Sequence, residues 1–344
     1  NSRRNNSTWN RKNERKRILK RGDIVMIIPS IDIMGGKAVQ LKQGKEKVYE
    51  NENIDDLIEQ YRLFPEINVI DLDSAMGKGD NKELIKRICQ KVDCNIGGGI
   101  RNIELAKEYI EAGAKRIMIG TKATKEFLEQ LPKEKVIVAL DTKKGKLATH
   151  GWQKLEDQDI YKKMQELENY CGKYLITNVN VEGLNSGTDL QFFQTLVGKT
   201  KNDIMVAGGI TTLEEIKAIH ELGFDQVLGM AITSGKLNLV DCYIKIMNFQ
   251  KQDGLIPTIV QDIETKEVLM LAYSNVDSIK KTFELKLATY YSRSRKQLWT
   301  KGEKSGNIQK IEKIYLDCDS DTLLFLVKQK GVACHRNKRT CFEV

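Results

Sequence analysis

The sequence predicts an α/β chain in two parts: a (β/α)8 TIM barrel built from two half-barrels, followed by a small α+β metal-binding domain. Three observations lead there. Strand-length apolar runs alternate with amphipathic helical segments between residues 24 and 250, which is the rhythm of β/α units. That stretch matches itself at an interval of 109 to 110 residues, as expected of a barrel made of two equal halves. From residue 251 onward short strands take over, and three aspartates and three cysteines crowd toward the C-terminus.

The eight strand candidates are IVMIIPSI, INVIDL, CNI, RIMI, KVIVAL, KYLITN, DIMVA and QVL. Between them lie segments such as NIDDLIEQYRLF, NKELIKRICQKV, IELAKEYIEAG, DLQFFQTLVG and TLEEIKAIHELG, whose apolar residues recur at three and four, the spacing of one helix face. GGIRNIELAKEYIEAGAKRIMIG, from Gly98, matches GGITTLEEIKAIHELGFDQVLG, from Gly208, and Gly113 and Gly223 keep that interval. Asp32 in SIDIMGGK matches Asp141 in ALDTKKGK, with Gly36 on Gly145, Lys37 on Lys146 and Asp73 on Glu182.

The repeat carries chemistry. Asp32 and Asp141 each close an apolar run, which places them at the C-terminal rim where barrel active sites form. Two carboxylates facing each other there can divide general-base and general-acid work. Gly98 with Gly99, and Gly208 with Gly209, each end a strand before a helix, where backbone N–H groups can meet an anion. A glycine closes the next strand in both halves, Gly120 with Thr121 and Gly229 with Met230. Two such cradles imply a substrate with a phosphate at each end.

At this point IPSIDIMGGKAVQL, VIDLDSAMGKG, IGGGIRNIELAKEYIEAGAKRIMIGT, VALDTKKGKLATHGW and VAGGITTLEEIKAI together resemble ProFAR isomerase, which converts an aminoaldose to an aminoketose in histidine biosynthesis. The resemblance covers about residues 26 to 248. It implies Asp32 as base and Asp141 as acid of a cofactor-free Amadori rearrangement, with Thr177 and Glu182 beside them and Arg101 and Trp152 on the substrate. This sequence departs from the family pattern at Asn178, where an Asp is frequent, and at His150, where an Arg commonly precedes Gly-Trp. The related ammonia-using barrel cyclase is the alternative; its first-strand Cys-Leu-Asp-Val motif is not matched by IPSIDIMGGK.

The C-terminal unit offers LIPTIVQDI, EVLMLAY, ATYYSRS, IQKIEKIYLDCDSD and TLLFLVKQK as strands. If IEKIYLDCDSD is extended, alternation puts Asp317, Asp319 and Asp321 on one face and Cys318 on the other. Three carboxylates together suit a hard cation such as Mg²⁺. Cys318, Cys334 and Cys341, spaced C-x15-C-x6-C, suit a catalytic Zn²⁺ with one open position. His335 is expected to act as an acid or base near that metal, the competing reading being a closed structural zinc site. A solvated acidic edge with buried thiols is the plain alternative.

VLMLAYSN, ATYYSRSRKQLWTKGEKSGN, LDCDSDTLLF and GVACHRNKRTCF resemble phosphoribosyl-AMP cyclohydrolase in that family's order. The resemblance implies zinc-assisted hydrolytic opening of the purine ring, magnesium on the aspartates, and substrate contacts from Arg293, Arg295, Trp299 and Lys301. It also implies a homodimer whose zinc ligands come from both subunits. The two resembled enzymes act consecutively, phosphoribosyl-AMP giving ProFAR. The sequence therefore reads as a bifunctional enzyme, with a barrel at 24–250, a cyclohydrolase-like domain at 251–344, and no pyrophosphohydrolase domain expected behind Cys341. The other class to weigh is an inactive scaffold in a metal-stabilised interaction protein.

Charge excludes one function class and composition another. Net charge is +9, but residues 1 to 22 hold nine Lys or Arg and one Glu, so the remainder is nearly neutral and no nucleic-acid partner is expected. Residues 1–23 are expected to be a disordered basic tail, a targeting or RNA-touching arm being the alternative. No apolar run approaches the ~18 residues of a membrane helix. Seven cysteines, with no secretion signal before them, point to a reducing, cytoplasmic setting.

Overall fold

In the computed structural model, residues 24–42, 44, 46–143, 146–149, 154–156, 159–181, 184 and 187–342 are described. β1 (Ile27–Met34) turns through Gly35 and Gly36 into β2 (Lys37–Lys42), which pairs on with β3 (Glu46–Asn51). β4 (Ile67–Asp71), β5 (Cys94–Gly97), β6 (Arg116–Ile119) and β7 (Val136–Lys143) follow, then β8 (Lys146–Thr149) and β9 (Lys154–Glu156), and finally β10 (Lys173–Asn178), β11 (Asp203–Ala207) and β12 (Asp225–Leu228). The parallel order is β10-β11-β12-β1-β4-β5-β6-β7, and β7 pairs back with β10. The expected strands thus close into a (β/α)8 barrel.

Its interior is filled by one inward side chain per strand step, since alternate residues of a strand face the same side. Ile28, Met118, Ile137, Leu175 and Met205 form that centre, with Met26, Ile70, Ala139, Ala207 and Val227 against it. Helices cover the outside through the periodic positions: Ile103–Glu111 buries Ala106 and Tyr109, and Leu213–Glu221 buries Ile216 and Ile219 behind a Thr212–Glu215 capping box. At the strand N-termini, opposite the rim, Lys173 on β10 and Asp225 on β12 form a buried ion pair of 2.6 Å.

The half-barrel repeat is visible in hydrogen-bond register. β1 and β2 pair Asp32 with Val39 and Met34 with Lys37. β7 and β8 pair Asp141 with Ala148 and Lys143 with Lys146. Each half therefore projects the same hairpin from the strand that carries its carboxylate.

The chain divides into two compact units: residues up to Glu52 with Asn68–Leu237, and Asn53–Ile67 with Asn238–Val344. The second unit takes in the helices Ile54–Tyr61 and Leu239–Lys245, which the sequence pattern counts among the barrel's. Aromatic packing and backbone pairing explain the grouping. Phe64 lies 5.6 Å from Tyr243 and 5.3 Å from Phe283 between ring centroids, and Ile314 N–H donates to Leu63 O at 2.9 Å.

That unit holds a sheet ordered β14-β13-β18-β17, from β13 (Ile256–Asp262), β14 (Val268–Ser274), β17 (Gln309–Leu316) and β18 (Leu323–Gln329). β15 (Thr289–Ser292) and β16 (Gln297–Thr300) form a separate hairpin. β16 is absent from the sequence-based strands, because QLWT is too short and too exposed to alternate clearly.

One expectation is corrected here. β17 stops at Leu316, so the aspartates do not share a strand face. Asp317 Oδ1 instead accepts from Asp321 N at 2.9 Å and Thr322 N at 3.0 Å, and Ser320 takes φ 62°. A carboxylate that satisfies nearby backbone N–H groups competes with the strand ladder and closes a turn. Among the described residues, no helix is long and apolar enough to cross a membrane.

Two candidate active sites

Asp32 lies on β1 between Val39 of β2 and Ile70 of β4. Burial raises its carboxyl from the ordinary 3.8 to about 7. The Gln40 amide donates to Asp32 Oδ2 at 3.4 Å. Asp141, half-buried on β7, is paired with Thr177 of β10 and Ala148 of β8. β1 and β7 are four steps apart in the closed ring, so the two carboxylates stand on opposite walls of one mouth. Thr177 joins them there, its carbonyl accepting from Thr142 Oγ1 at 3.2 Å.

The glycine pairs are required by space as well as by conformation. Gly98 and Gly99 take φ +93° and +67°, and Gly208 and Gly209 take +105° and +72°. A Cβ on Gly98 would lie 2.2 Å from Asp71 O, and one on Gly208 would lie 2.6 Å from Asn178 O. The helices that follow are already capped: Asn102 accepts from Leu105 N and Thr212 from Glu215 N. Gly229 differs, since the short helix Met230–Thr233 starts directly after it with no side-chain cap. Gly120 and Thr121 follow β6 in a turn closed by Ala123 N–H on Gly120 O, 2.8 Å.

Arg101 is exposed but engaged, donating to Ser74 O at 2.9 Å and Ala75 O at 2.6 Å. Glu182, Trp152 and His150 lie outside the described residues. Gln40 escaped sequence reasoning. It is buried, touches Asp32, and its amide oxygen lies 3.2 Å from where a Cβ on Gly229 would be; the only sequence signal was its place in the strand pattern AVQL.

In the second unit, Asp317, Asp319 and Asp321 converge despite the turn, each offering a carboxylate oxygen within 4.8 Å of the others. The set is all oxygen and partly exposed, and fits a hard divalent cation. Burial first, and the neighbouring carboxylates second, raise Asp317, although backbone N–H bonds pull the other way. Asp321 is lowered chiefly by Lys251, whose ammonium lies 2.6 Å from Asp319 and 2.5 Å from Asp321. The sequence pattern marks Lys251 only as the first residue of the second domain.

Cys334 and Cys341 are hydrogen-bonded to each other, and burial followed by Cys334 raises the Cys341 thiol. Lys301 is buried beside both thiols, and its ammonium donates to Val332 O at 3.1 Å. His335 is exposed in the Cys334–Lys338 turn. Cys318, exposed in the aspartate turn, is not brought into a ligand set with the other two within one chain: the aspartates are the sole such group among the described residues. Arg293 lies over the Tyr273 ring at 3.7 Å, and Arg295 stands 5.9 Å from the centroid of Trp299. Both arginines are exposed at the β15–β16 hairpin.

A closed barrel with paired rim carboxylates, joined to a sheet domain with clustered thiols and aspartates, defines a two-part enzyme. Its halves match two family models: histidine biosynthesis protein over residues 26–238, and phosphoribosyl-AMP cyclohydrolase over residues 270–343. The chain belongs to the histidine biosynthesis protein family. It is 39% identical over 229 residues to 1-(5-phosphoribosyl)-5-((5-phosphoribosylamino)methylideneamino)imidazole-4-carboxamide isomerase of Methanocaldococcus jannaschii, covering 62% of this chain and 96% of that one. The Methanosphaera stadtmanae enzyme of the same name is 35% identical over 231 residues, 63% of this chain and 98% of its own. The phosphoribosyl-AMP cyclohydrolase of Clostridium beijerinckii is 54% identical over 99 residues, 29% of this chain and 91% of its own.

Proposed function

We propose that the chain carries out two consecutive steps of histidine biosynthesis: hydrolytic opening of phosphoribosyl-AMP to ProFAR by the part from residue 251, and isomerisation of ProFAR to the aminoketose by the barrel at 24–250. The observation that carries the isomerase half is the pair Asp32 and Asp141 on opposite walls of one mouth flanked by glycine cradles. Asp141 donates a proton to the ring oxygen of the aldose and opens the ring. Asp32 then removes the proton from C2, and the enolamine formed collapses to the ketose. A base poised near 7 suits this transfer at neutral pH. Gly98, Gly99, Gly120 and Thr121 would hold one phosphate, and Gly208, Gly209, Gly229 and Met230 the other. Thr177, Glu182, Arg101 and Trp152 complete the substrate set.

In the other half, Cys318, Cys334 and Cys341 would hold zinc, and Asp317, Asp319 and Asp321 magnesium. Bound zinc supplies an activated water for addition across the N1–C6 bond. His335 would exchange protons there, and Arg293, Arg295, Trp299 and Lys301 would bind the nucleotide. Because Cys318 stands apart from the other two thiols, the zinc set is completed by a second copy of the chain. Val268, Leu271, Leu298 and Phe342, large apolar side chains exposed in this unit, give that dimer a surface. A cytoplasmic location follows from the thiol chemistry.

The test supplies ProFAR to the metal-free chain and separates aldose from ketose by chromatography. Ketose formation that disappears in Asp141→Asn supports the barrel assignment; no ketose from the intact chain would refute it.

A further inference from the structure

Asn81 sits at the N-cap of the helix Lys82–Cys89 yet makes no side-chain cap bond. Asn is among the best N-cap residues, and a cap of this kind is worth about 0.5–2 kcal/mol. Here the amide is committed elsewhere. Its Oδ1 accepts from Gly36 N–H at 2.9 Å, and its Nδ2 donates to Asp71 Oδ1 at 2.8 Å and Asp73 Oδ2 at 2.9 Å. Asp73 Oδ2 also accepts from Gly35 N–H at 2.6 Å. The Asn81 backbone N–H is held by Asp71 Oδ2 at 2.8 Å.

Gly35 and Gly36 form the two-residue turn between β1 and β2, with φ +58° and +75°. Both N–H groups of this turn are thus claimed by side chains from beyond β4. Asp71 is fully buried and Asn81 nearly so, so the root of the anchor is shielded from water, while the Gly35–Gly36 turn that it grips is exposed. The hairpin it grips carries Asp32 at one end and Gln40, the residue touching Asp32, on the returning strand. The same segment supports the phosphate loop: a Cβ on Gly98 would strike Asp71 O, and Arg101 ties itself to Ser74 O and Ala75 O. In the other half the matching strand end is Asn178, whose Oδ1 accepts from Asn180 N at 3.1 Å.

We propose that Asn81, with Asp73, is a positioning residue of the isomerase: it gives up helix capping to clamp the β1–β2 turn and so fixes Asp32 against the substrate. This rests on the isomerase reading of Asp32. Asn81→Ser removes the clamp while keeping a small polar residue at the helix start, since Ser is too short to reach Gly36. The expected result is about a 10- to 100-fold fall in isomerase kcat with a smaller change in KM. Faster hydrogen exchange at the Gly35 and Gly36 amides and an unaltered rate of phosphoribosyl-AMP opening by the same chain should accompany it. Full isomerase activity in Asn81→Ser despite faster exchange would overturn the clamp alone. A wild-type chain that turns over no ProFAR would overturn the isomerase reading and the clamp with it.

Discussion

Asp32 is a carboxyl whose surroundings disfavour its charge, and two outcomes follow. The folded-state value, about 7, lies above the ordinary 3.8, so its contribution to stability is full below about pH 4 and is lost as pH rises through 7. Asp32→Asn is therefore expected to raise the melting temperature relative to wild type at pH 8 and to change it little at pH 4, while abolishing isomerisation. The acid limb of the wild-type isomerase pH–rate profile should fall near pH 7; a limb near 4 would contradict the burial argument. Asp32, Asp141 and the glycine pairs were legible because each half of the chain states them once. Gln40 and Asn81 were not, since their roles depend on which strands become neighbours, and sequence separation conceals that.

Among elements, the turn Asp317–Thr322 shows how local chemistry overrides periodicity. The apolar run ending at Leu316 was readable as a strand, but the Asp317 carboxylate satisfies two backbone N–H groups and Ser320 adopts a left-handed φ. The three carboxylates still meet, now through the turn. Lys251 occupies two of them, and an exposed ion pair is readily displaced. Lys251→Ala is expected to strengthen Mg²⁺ or Mn²⁺ binding on the order of a few-fold, read by calorimetry on the intact chain; unchanged affinity would show that the ammonium does not compete. At the strand N-termini, Asp225→Ala leaves Lys173 buried without the carboxylate 2.6 Å away. Loss of one partner of such a pair costs about 3–5 kcal/mol. Urea unfolding should register this, with isomerase kinetics near wild type at low denaturant. The helix Ile54–Tyr61 illustrates the limit of pattern reading: its spacing reveals a helix, but only the ring contacts of Phe64 and the backbone bond at Leu63 reveal its unit.

At the scale of the whole molecule, two chemistries with different requirements share one chain. The proposed isomerisation calls only on barrel side chains, whereas the thiol and aspartate clusters belong to the cyclohydrolase half. Dialysis against a strong chelator is expected to stop phosphoribosyl-AMP opening and to leave ProFAR isomerisation intact, with zinc restoring the first. Equal loss of both would argue against separate sites. The two-part organisation was legible from the change of pattern after residue 250, whereas the grouping of Asn53–Ile67 with Asn238–Val344 was not, because it arises from contacts between distant segments. The most direct test of two successive activities supplies phosphoribosyl-AMP, Zn²⁺ and Mg²⁺ to the wild-type chain and to Asp32→Asn, and separates the products by mass and chromatography. The wild type should yield the aminoketose and Asp32→Asn should accumulate ProFAR, one water heavier than the substrate. No ring opening with zinc bound, or ketose from both proteins, would contradict it.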